Sequence, residues 1–340
     1  MASDLELLTL GRISIDLYCE QIGADWDAAE SFSKAIGGSP TNVAVAAARL
    51  GHRTAVFTKV GEDPFGKVAV NELRDFGVDT RFVGVEPGTV TPLAFAVLDP
   101  PEDPQLLFRR DPPVPDFQLR PDDVDPETVA EVPILWVTAS ALSQEPSAST
   151  AERMLQTRGR RRHTVLDLDY RPTFWRSRDD ASARIGAAIA HATIAVGNRE
   201  ECAVAVGTDD PHEAAARLRE RGVELAIVKL GGDGVLLCTE QAERLLEPPP
   251  IEVVCGLGAG DAFGGALCHG LLSRWPHERT IAFANAAGGI VASRLLCSQA
   301  MPYEQDVLEI LGEDRRRLAA APYGGGSAAP DGGASEGSPA

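Results

Sequence analysis

Asp261 lies in the segment Cys255-Gly256-Leu257-Gly258-Ala259-Gly260-Asp261-Ala262-Phe263, where a glycine-rich turn leads directly into a run of small residues with helical spacing. The apolar run at 251–254 reads as a buried strand feeding that turn. Backbone N–H groups at a helix start that Gly258, Ala259 and Gly260 leave uncovered would form a site for a phosphate or a developing anion. A carboxylate in the first turn beside such a site can take the proton of an attacking hydroxyl, which is general-base chemistry. By spacing alone, Asp261 serves equally well as a plain helix cap.

Three further clusters have the same character. Gly37-Gly38-Ser39-Pro40-Thr41-Asn42 opens a helix of small residues, with Gly38 allowing close approach to the backbone and Asn42 offering a donor and an acceptor to hydroxyls. Lys229-Leu230-Gly231-Gly232-Asp233-Gly234 follows a buried strand and reads either as a bare hairpin turn or as a nucleotide-facing loop. Asn198-Arg199-Glu200-Glu201 follows another strand and opens a helix. Strand ends are where open α/β sheets bind ligands. The chain contains no GxxxxGK[ST], and GxGxxG fails because Phe263 stands where its last glycine would be, so neither a P-loop NTPase nor a Rossmann dehydrogenase is supported.

The elements that must position these residues alternate. Strand-like runs at 7–10, 54–60, 134–138, 164–168, 194–196, 225–230 and 251–254 are separated by helical patterns at 41–50, 66–76, 182–192, 211–221, 259–274 and 278–294. That alternation predicts a parallel sheet wrapped by helices. Two stretches break the rhythm. Residues 13–35 lack a long helix, and residues 90–110 hold two extended segments around Pro100, Pro101 and Pro104, a pattern that fits a small antiparallel flap. Residues 319–340 are nearly all Gly, Ala, Ser or Pro and are expected to be a disordered tail.

The 340 residues carry a net charge of −18, which argues against a nucleic-acid surface built from clustered Lys and Arg. No apolar run approaches the ~18 residues of a membrane span, and the N-terminus, with Asp4 and Glu6, lacks the basic region and cleavage site expected of a secretory signal. The six cysteines show no CxxC spacing, which fits reduced thiols in a cytoplasmic protein.

Gly37-Gly38 with Asn42, Ala44, Ala48 and Leu50-Gly51 resembles the first signature of the ribokinase-like (PfkB) carbohydrate kinases, and Gly258-Ala259-Gly260-Asp261-Ala262-Phe263 resembles the second. Gly61-x-Asp63-x-x-Gly66, Asn198-x-x-Glu201 and Leu230-Gly231-x-x-Gly234 follow in family order, and the likeness runs from about Leu5 to Leu311. The resemblance implies a three-layer α/β/α fold with a mostly parallel central sheet, a kinase domain over 5–318, and a small β-strand lid from about 12–36 and 89–111. It also implies ATP and Mg²⁺ as cofactors. Asp261 would be the base, and Gly258, Ala259 and Gly260 the anion hole. Asn198 and Glu201 would position phosphate and Mg²⁺, with the metal held indirectly. Lys229, Gly231, Gly232, Gly234 and Asn285 would lie on the nucleotide side, while Asp16, Gly38 and Asn42 would grip the sugar. The lid often pairs between subunits, so a homodimer is expected.

The segment Asp167-Leu168-Asp169-Tyr170-Arg171-Pro172-Thr173-Phe174-Trp175 bears on the substrate. Arg171, with Arg109 at the end of the second lid segment, suggests an anionic sugar, because a guanidinium holds a carboxylate with two parallel hydrogen bonds. Equally, Arg171 pairs with Asp167 or Asp169 and only holds its loop. Kinases of 2-keto-3-deoxygluconate have Asn where this chain has Asp169. The segment, together with Gly11-Arg12-Ile13-Ser14-Ile15-Asp16-Leu17-Tyr18, most resembles a branch that phosphorylates the terminal hydroxyl of a keto-deoxy sugar acid in inositol breakdown. A fructokinase or ribokinase activity and a non-catalytic sugar-acid sensor are the weaker alternatives. The usual second signature begins Asp-Thr, where this chain has Cys255-Gly256. In K⁺-activated relatives that Asp belongs to the cation site, and a thiol is a poor ligand for a hard cation, which argues against K⁺ dependence in its usual form.

Overall fold

Strand β1 (Leu7–Leu10) is an interior strand of a nine-stranded sheet, and every one of its residues is buried. The computed structural model describes residues 4–312, so the tail expected at 319–340 lies outside the described residues. The strands of the large sheet are β1, β4 (Thr54–Gly61), β5 (Val83–Glu86), β8 (Ile134–Thr138), β9 (Thr164–Asp167), β10 (Ile194–Asn198), β11 (Leu225–Lys229), β12 (Val235–Cys238) and β13 (Glu243–Leu246). Their order is β13-β12-β11-β10-β9-β8-β1-β4-β5; neighbours from β5 to β11 run parallel, and β12 and β13 close one edge as an antiparallel hairpin.

Both faces of the sheet are covered, which is why its strands read as continuous apolar runs rather than alternating ones. On one face pack α3 (Pro126–Glu131), α4 (Ser147–Arg158), α5 (Arg178–Ile189), α6 (Arg199–Val206) and α7 (Pro211–Glu220), against Leu8, Leu135 and Leu166 among others. On the other lie α1 (Ser39–Arg49), α2 (Pro64–Asp75), α8 (Ala259–Leu272), α9 (His277–Ala292) and α10 (Glu304–Ile310), against Leu7, Trp136, Val56 and Ile194. The result is the parallel sheet wrapped by helices expected from the alternation, in the three-layer α/β/α arrangement that the resemblance implies.

A second sheet of four strands, in the order β3-β2-β6-β7, is built from β2 (Ser14–Cys19), β3 (Phe32–Gly37), β6 (Leu93–Val97) and β7 (Gln105–Arg109). The stretch at 13–35 that lacks a helix is the β2–β3 hairpin, and β6 joins it in parallel to β2.

One expected element is absent. Residues 251–254 form no strand. The amides of Val254 and Cys255 donate to the carbonyl of Ala292 near the end of α9, at 2.8 and 3.0 Å. The run is partly exposed and is captured by a helix C-terminus, so its apolar character covers α9 rather than extending the sheet.

Candidate active site

Asp167, Asn198 and Lys229 are the last residues of β9, β10 and β11, three neighbouring parallel strands. The register sets Asn198 beside Lys229, so polar groups that would be costly inside the sheet emerge together at its carboxyl edge. Facing them are the N-termini of α1 and α8. These two helices approach closely: a Cβ on Gly265 would lie 2.3 Å from the Cβ of Ala46. Between the strand ends, the two helices and the second sheet lies a cavity of about 420 Å³.

Asp261 occupies the first turn of α8 and lines this cavity. Asn42, in the first turn of α1, donates from Nδ2 to Asp261 Oδ2 at 2.8 Å. Burial pushes the Asp261 carboxyl above its ordinary range, against the stabilising hydrogen bonds from Asn42 and Ser39. Gly258 caps α8 in the left-handed region, at φ 81°, so no side chain covers the amides of the turn. Gly258 and Gly260 line the cavity and Ala259 is the first helical residue between them. A Cβ on Gly260 would come 3.3 Å from Lys229 Nζ, which places an ammonium group beside the helix start.

Asn198 and Glu201 form a reciprocal capping box at the start of α6. The Asn198 amide donates to Glu201 Oε2 at 2.7 Å, and the Glu201 amide donates to Asn198 Oδ1 at 2.9 Å. Lys229 Nζ lies 3.9 Å from Glu201 Oε2. Burial opposes the charge of Lys229, but Glu201, Asp167 and Asp261 outweigh it and hold its ammonium above the ordinary range. Asp167 is pushed up to about 7 by burial, with Lys229 opposing.

The wall opposite α8 carries Arg12, Asp169 and Arg171. Arg12 Nη2 donates to Asp169 Oδ2 at 2.8 Å, and Ser140 donates to the same oxygen at 2.8 Å. Arg171 Nη2 lies 3.5 Å from Asp169 Oδ1 while its side chain stays 39% exposed, so it holds its loop and also faces the cavity. Burial alone would raise the Asp169 carboxyl, but the two guanidinium groups keep it well below the carboxylate range.

Asp16, in β2, accepts from Ser14 Oγ at 2.6 Å and from Tyr18 Oη at 3.5 Å. Burial pushes it up to about 6, against the hydrogen bond from Ser14 and the charge of Arg12. Gly38 also lines the cavity, at the N-cap of α1.

Some of the expected residues stand elsewhere. Arg109 is exposed and does not line the cavity: the side chains of β7 alternate, and it is Phe108 that faces inward. The next residue, Arg110, is turned into the protein and paired with buried Asp116, which also accepts from the Ile13 amide at 3.0 Å. Gly231 lines the cavity, and Gly232 beside it opens onto free space. Gly234 and Asn285 meet instead at the Leu246 carbonyl, to which Asn285 Nδ2 donates at 3.0 Å.

Spacing gave no warning of several lining residues. Arg12, Tyr18 and Cys297 reach the cavity through partners far away in the chain. The Tyr18 hydroxyl and Cys297 Sγ, 279 residues apart, are 2.6 Å from each other. Arg12 and Tyr18 are visible in the sequence only as members of the 11–18 motif.

The family description "pfkB family carbohydrate kinase" matches residues 4–303. The 5-dehydro-2-deoxygluconokinase of Geobacillus kaustophilus is 31% identical over 325 residues, covering 93% of this chain and 96% of that protein. That of Geobacillus thermodenitrificans is 32% identical over 307 residues, covering 88% and 90%. Among solved structures, fructokinase from Vibrio cholerae O395 in a fructose-, ADP- and calcium-bound form superposes with a TM-score of 0.80 at 25% identity, covering 91% of this chain and 100% of that one. A protein from E. coli described as a ribokinase II, in complex with ATP and Mg²⁺, gives a TM-score of 0.82 at 21% identity, covering 91% and 99%. Among the described residues, no helix is long and apolar enough to cross a membrane.

Proposed function

The chain belongs to the pfkB family of carbohydrate kinases, and from that premise we propose that it transfers the γ-phosphoryl group of ATP to the terminal hydroxyl of 5-dehydro-2-deoxy-D-gluconate, giving the 6-phosphate in myo-inositol catabolism. The observation that carries the substrate is the pair Arg12 and Arg171, held on one cavity wall by a shared Asp169. A sugar carboxylate matches that positive wall in charge and fork geometry, whereas a neutral ketose brings no charge to it. The names of the curated relatives point the same way.

In this reading Asp16, Gly38 and Asn42 hold the sugar with its terminal hydroxyl at Asp261. Asp261 accepts the hydroxyl proton, the oxygen attacks the γ-phosphorus, and the bond from that phosphorus to the bridging oxygen of ADP breaks. The amides around Gly258, Ala259 and Gly260, with the ammonium of Lys229, stabilise the charge that spreads over the transferring group. Asn42 keeps the acceptor oxygens of Asp261 oriented, since it binds Oδ2 directly.

The groups at the strand ends fit Mg²⁺, a hard cation that binds oxygen and keeps much of its water. Glu201 already accepts from the Asn198 amide, so Asn198 and Glu201 would hold the metal through water rather than directly. Bound Mg²⁺ supplies neutralisation of the ATP phosphates. Gly231 and Gly232 would lie along the nucleotide, with Gly234 and Asn285 shaping the nucleotide side through Leu246. The described residues form a kinase body with the four-stranded sheet as its lid, whose β3 and β7 edges would pair in a homodimer.

The test is ATP-dependent phosphorylation of 5-dehydro-2-deoxygluconate, 2-keto-3-deoxygluconate, fructose and ribose under identical conditions. Preference for the first supports the reading. Preference for a neutral sugar would remove the carboxylate role of Arg12 and Arg171 while leaving Asp261 as base.

A further inference from the structure

We infer that Gly256 is a positioning residue that seats the turn between β6 and β7 on the loop leading into α8, so that lid position and anion-hole geometry are set by one contact. The inference rests on the kinase reading above. The Gly256 amide donates to the Pro101 carbonyl at 3.0 Å. A Cβ at 256 would lie 2.5 Å from the Glu102 carbonyl oxygen and 3.3 Å from its carbon. Both obstacles are backbone, so no rotamer change relieves them; only glycine lets the two chains come this close.

The contact joins two parts of the site. Glu102 lines the cavity from the turn, and Gly256, Leu257 and Gly258 line it from the loop. Two residues beyond Gly256, Gly258 is pressed against Cys297, where a Cβ would lie 2.5 Å from Sγ. The loop is therefore gripped at 256 by the lid turn and at 258 by the segment after α9. Pro100, Pro101 and Pro104 limit the conformations the turn gives up when seated. A lid that lifts must release the Gly256 amide, and the amides of Gly258, Ala259 and Gly260 lose one of the two supports that aim them.

Hydrogen–deuterium exchange on the full chain, without ligands, tests the seating independently of turnover. In Gly256→Ala, exchange at 99–104 and at 255–260 is expected to rise at least about fivefold, the loss of roughly one hydrogen bond, while exchange in β1 and β8 is unchanged. Pro101→Gly, which loosens the turn without a collision, is expected to raise exchange at 255–260 in the same direction. In steady-state kinetics Gly256→Ala should raise the KM for the sugar acid about tenfold and increase sugar-independent ATP hydrolysis, with the KM for ATP within about twofold. Unchanged exchange at 99–104, or a rise spread evenly over the whole chain, overturns the inference. A kcat, a KM for the sugar acid and a rate of sugar-independent ATP hydrolysis that all stay unchanged also overturn it. Absence of sugar-acid kinase activity in the unaltered protein would count against the proposed function and would leave the exchange result standing.

Discussion

Asn42 Nδ2 donates to Asp261 Oδ2 at 2.8 Å, tying the first turn of α1 to the first turn of α8 across 219 residues of sequence. The two helices that bear the family's two signatures thus meet at one carboxylate. One oxygen is fixed by the amide, which fixes the direction in which the carboxylate can accept a proton. Both groups are also placed where burial favours the protonated form of Asp261.

Asp261→Asn is expected to lower kcat by about a thousandfold or more, within the range that a positioned acid or base supplies, while KM values change by no more than about threefold. The amide preserves shape but cannot take the proton. Because burial raises the Asp261 carboxyl, the acid limb of the kcat/KM profile should lie above the pH where an ordinary aspartate titrates. Stopped turnover assays over the acid range check both points, and an unchanged kcat in the variant would end the assignment.

Asp16 gives a prediction about stability. Its folded pKa, about 6, lies above the 3.8 of an ordinary aspartate, so between those values the folded state binds more protons than the unfolded chain. Its contribution is fully present below 3.8 and is lost as pH rises through about 6. Asp16→Asn, which stays neutral, should therefore raise Tm relative to the parent at pH 8 and give little difference at pH 4. The gap corresponds to an upper bound on the order of 3 kcal/mol. Thermal melts at the two pH values decide it. Turnover should fall in the same variant, since the sugar loses a charged acceptor.

Arg12 and Arg171 share Asp169 but differ in exposure, and their variants should part accordingly. Arg12→Ala leaves Asp169 buried beside a lost partner and is expected to destabilise the fold by about 3–5 kcal/mol. Arg171→Ala removes a partly exposed partner 3.5 Å away and should cost less than about 1 kcal/mol. Its effect should appear in binding instead: KM for the sugar acid should rise roughly ten- to hundredfold and that for a neutral ketose hardly at all. Urea unfolding and acceptor kinetics on both variants separate the two roles, and equal losses on acid and ketose would make Arg171 purely structural.

How far the sequence reveals the site depends on how local each contact is. Gly258, Asp261, Asn198 and Glu201 could be read because a helix start, its cap and its first-turn side chain are neighbours in the chain. The same locality made the buried strands and most helices readable from apolar spacing. Arg12 could not be read this way, because its role comes from Asp169, 157 residues away. Arg109 was misplaced because a one-residue step on a strand turns a side chain to the other face, and spacing does not say which face looks inward. Residues 251–254 have the composition of a strand, but spacing does not show which partner lies beside them, and the amides of Val254 and Cys255 find the Ala292 carbonyl instead of a strand.

Gly258 and Cys297 offer a final test in which strain and contact can be separated. Alanine at 258 meets two obstacles: a Cβ 2.5 Å from Cys297 Sγ, and a left-handed backbone at φ 81°. The second alone should cost roughly 1–2 kcal/mol. Gly258→Ala is therefore expected to destabilise by more than that, since Sγ or the loop must move as well. Adding Cys297→Ala removes the sulfur but keeps the Cβ of residue 297, 2.8 Å from the same point, so it should recover only the sulfur's share of the collision. The cycle needs Cys297→Ala by itself as reference, because that change also removes the partner of the Tyr18 hydroxyl, 2.6 Å away. Urea unfolding of the four proteins measures the coupling. A favourable coupling measures the strain that the sulfur imposes on a side chain at 258. Strictly additive losses would mean that the loop gives way at 258 and that the sulfur does not obstruct a side chain there.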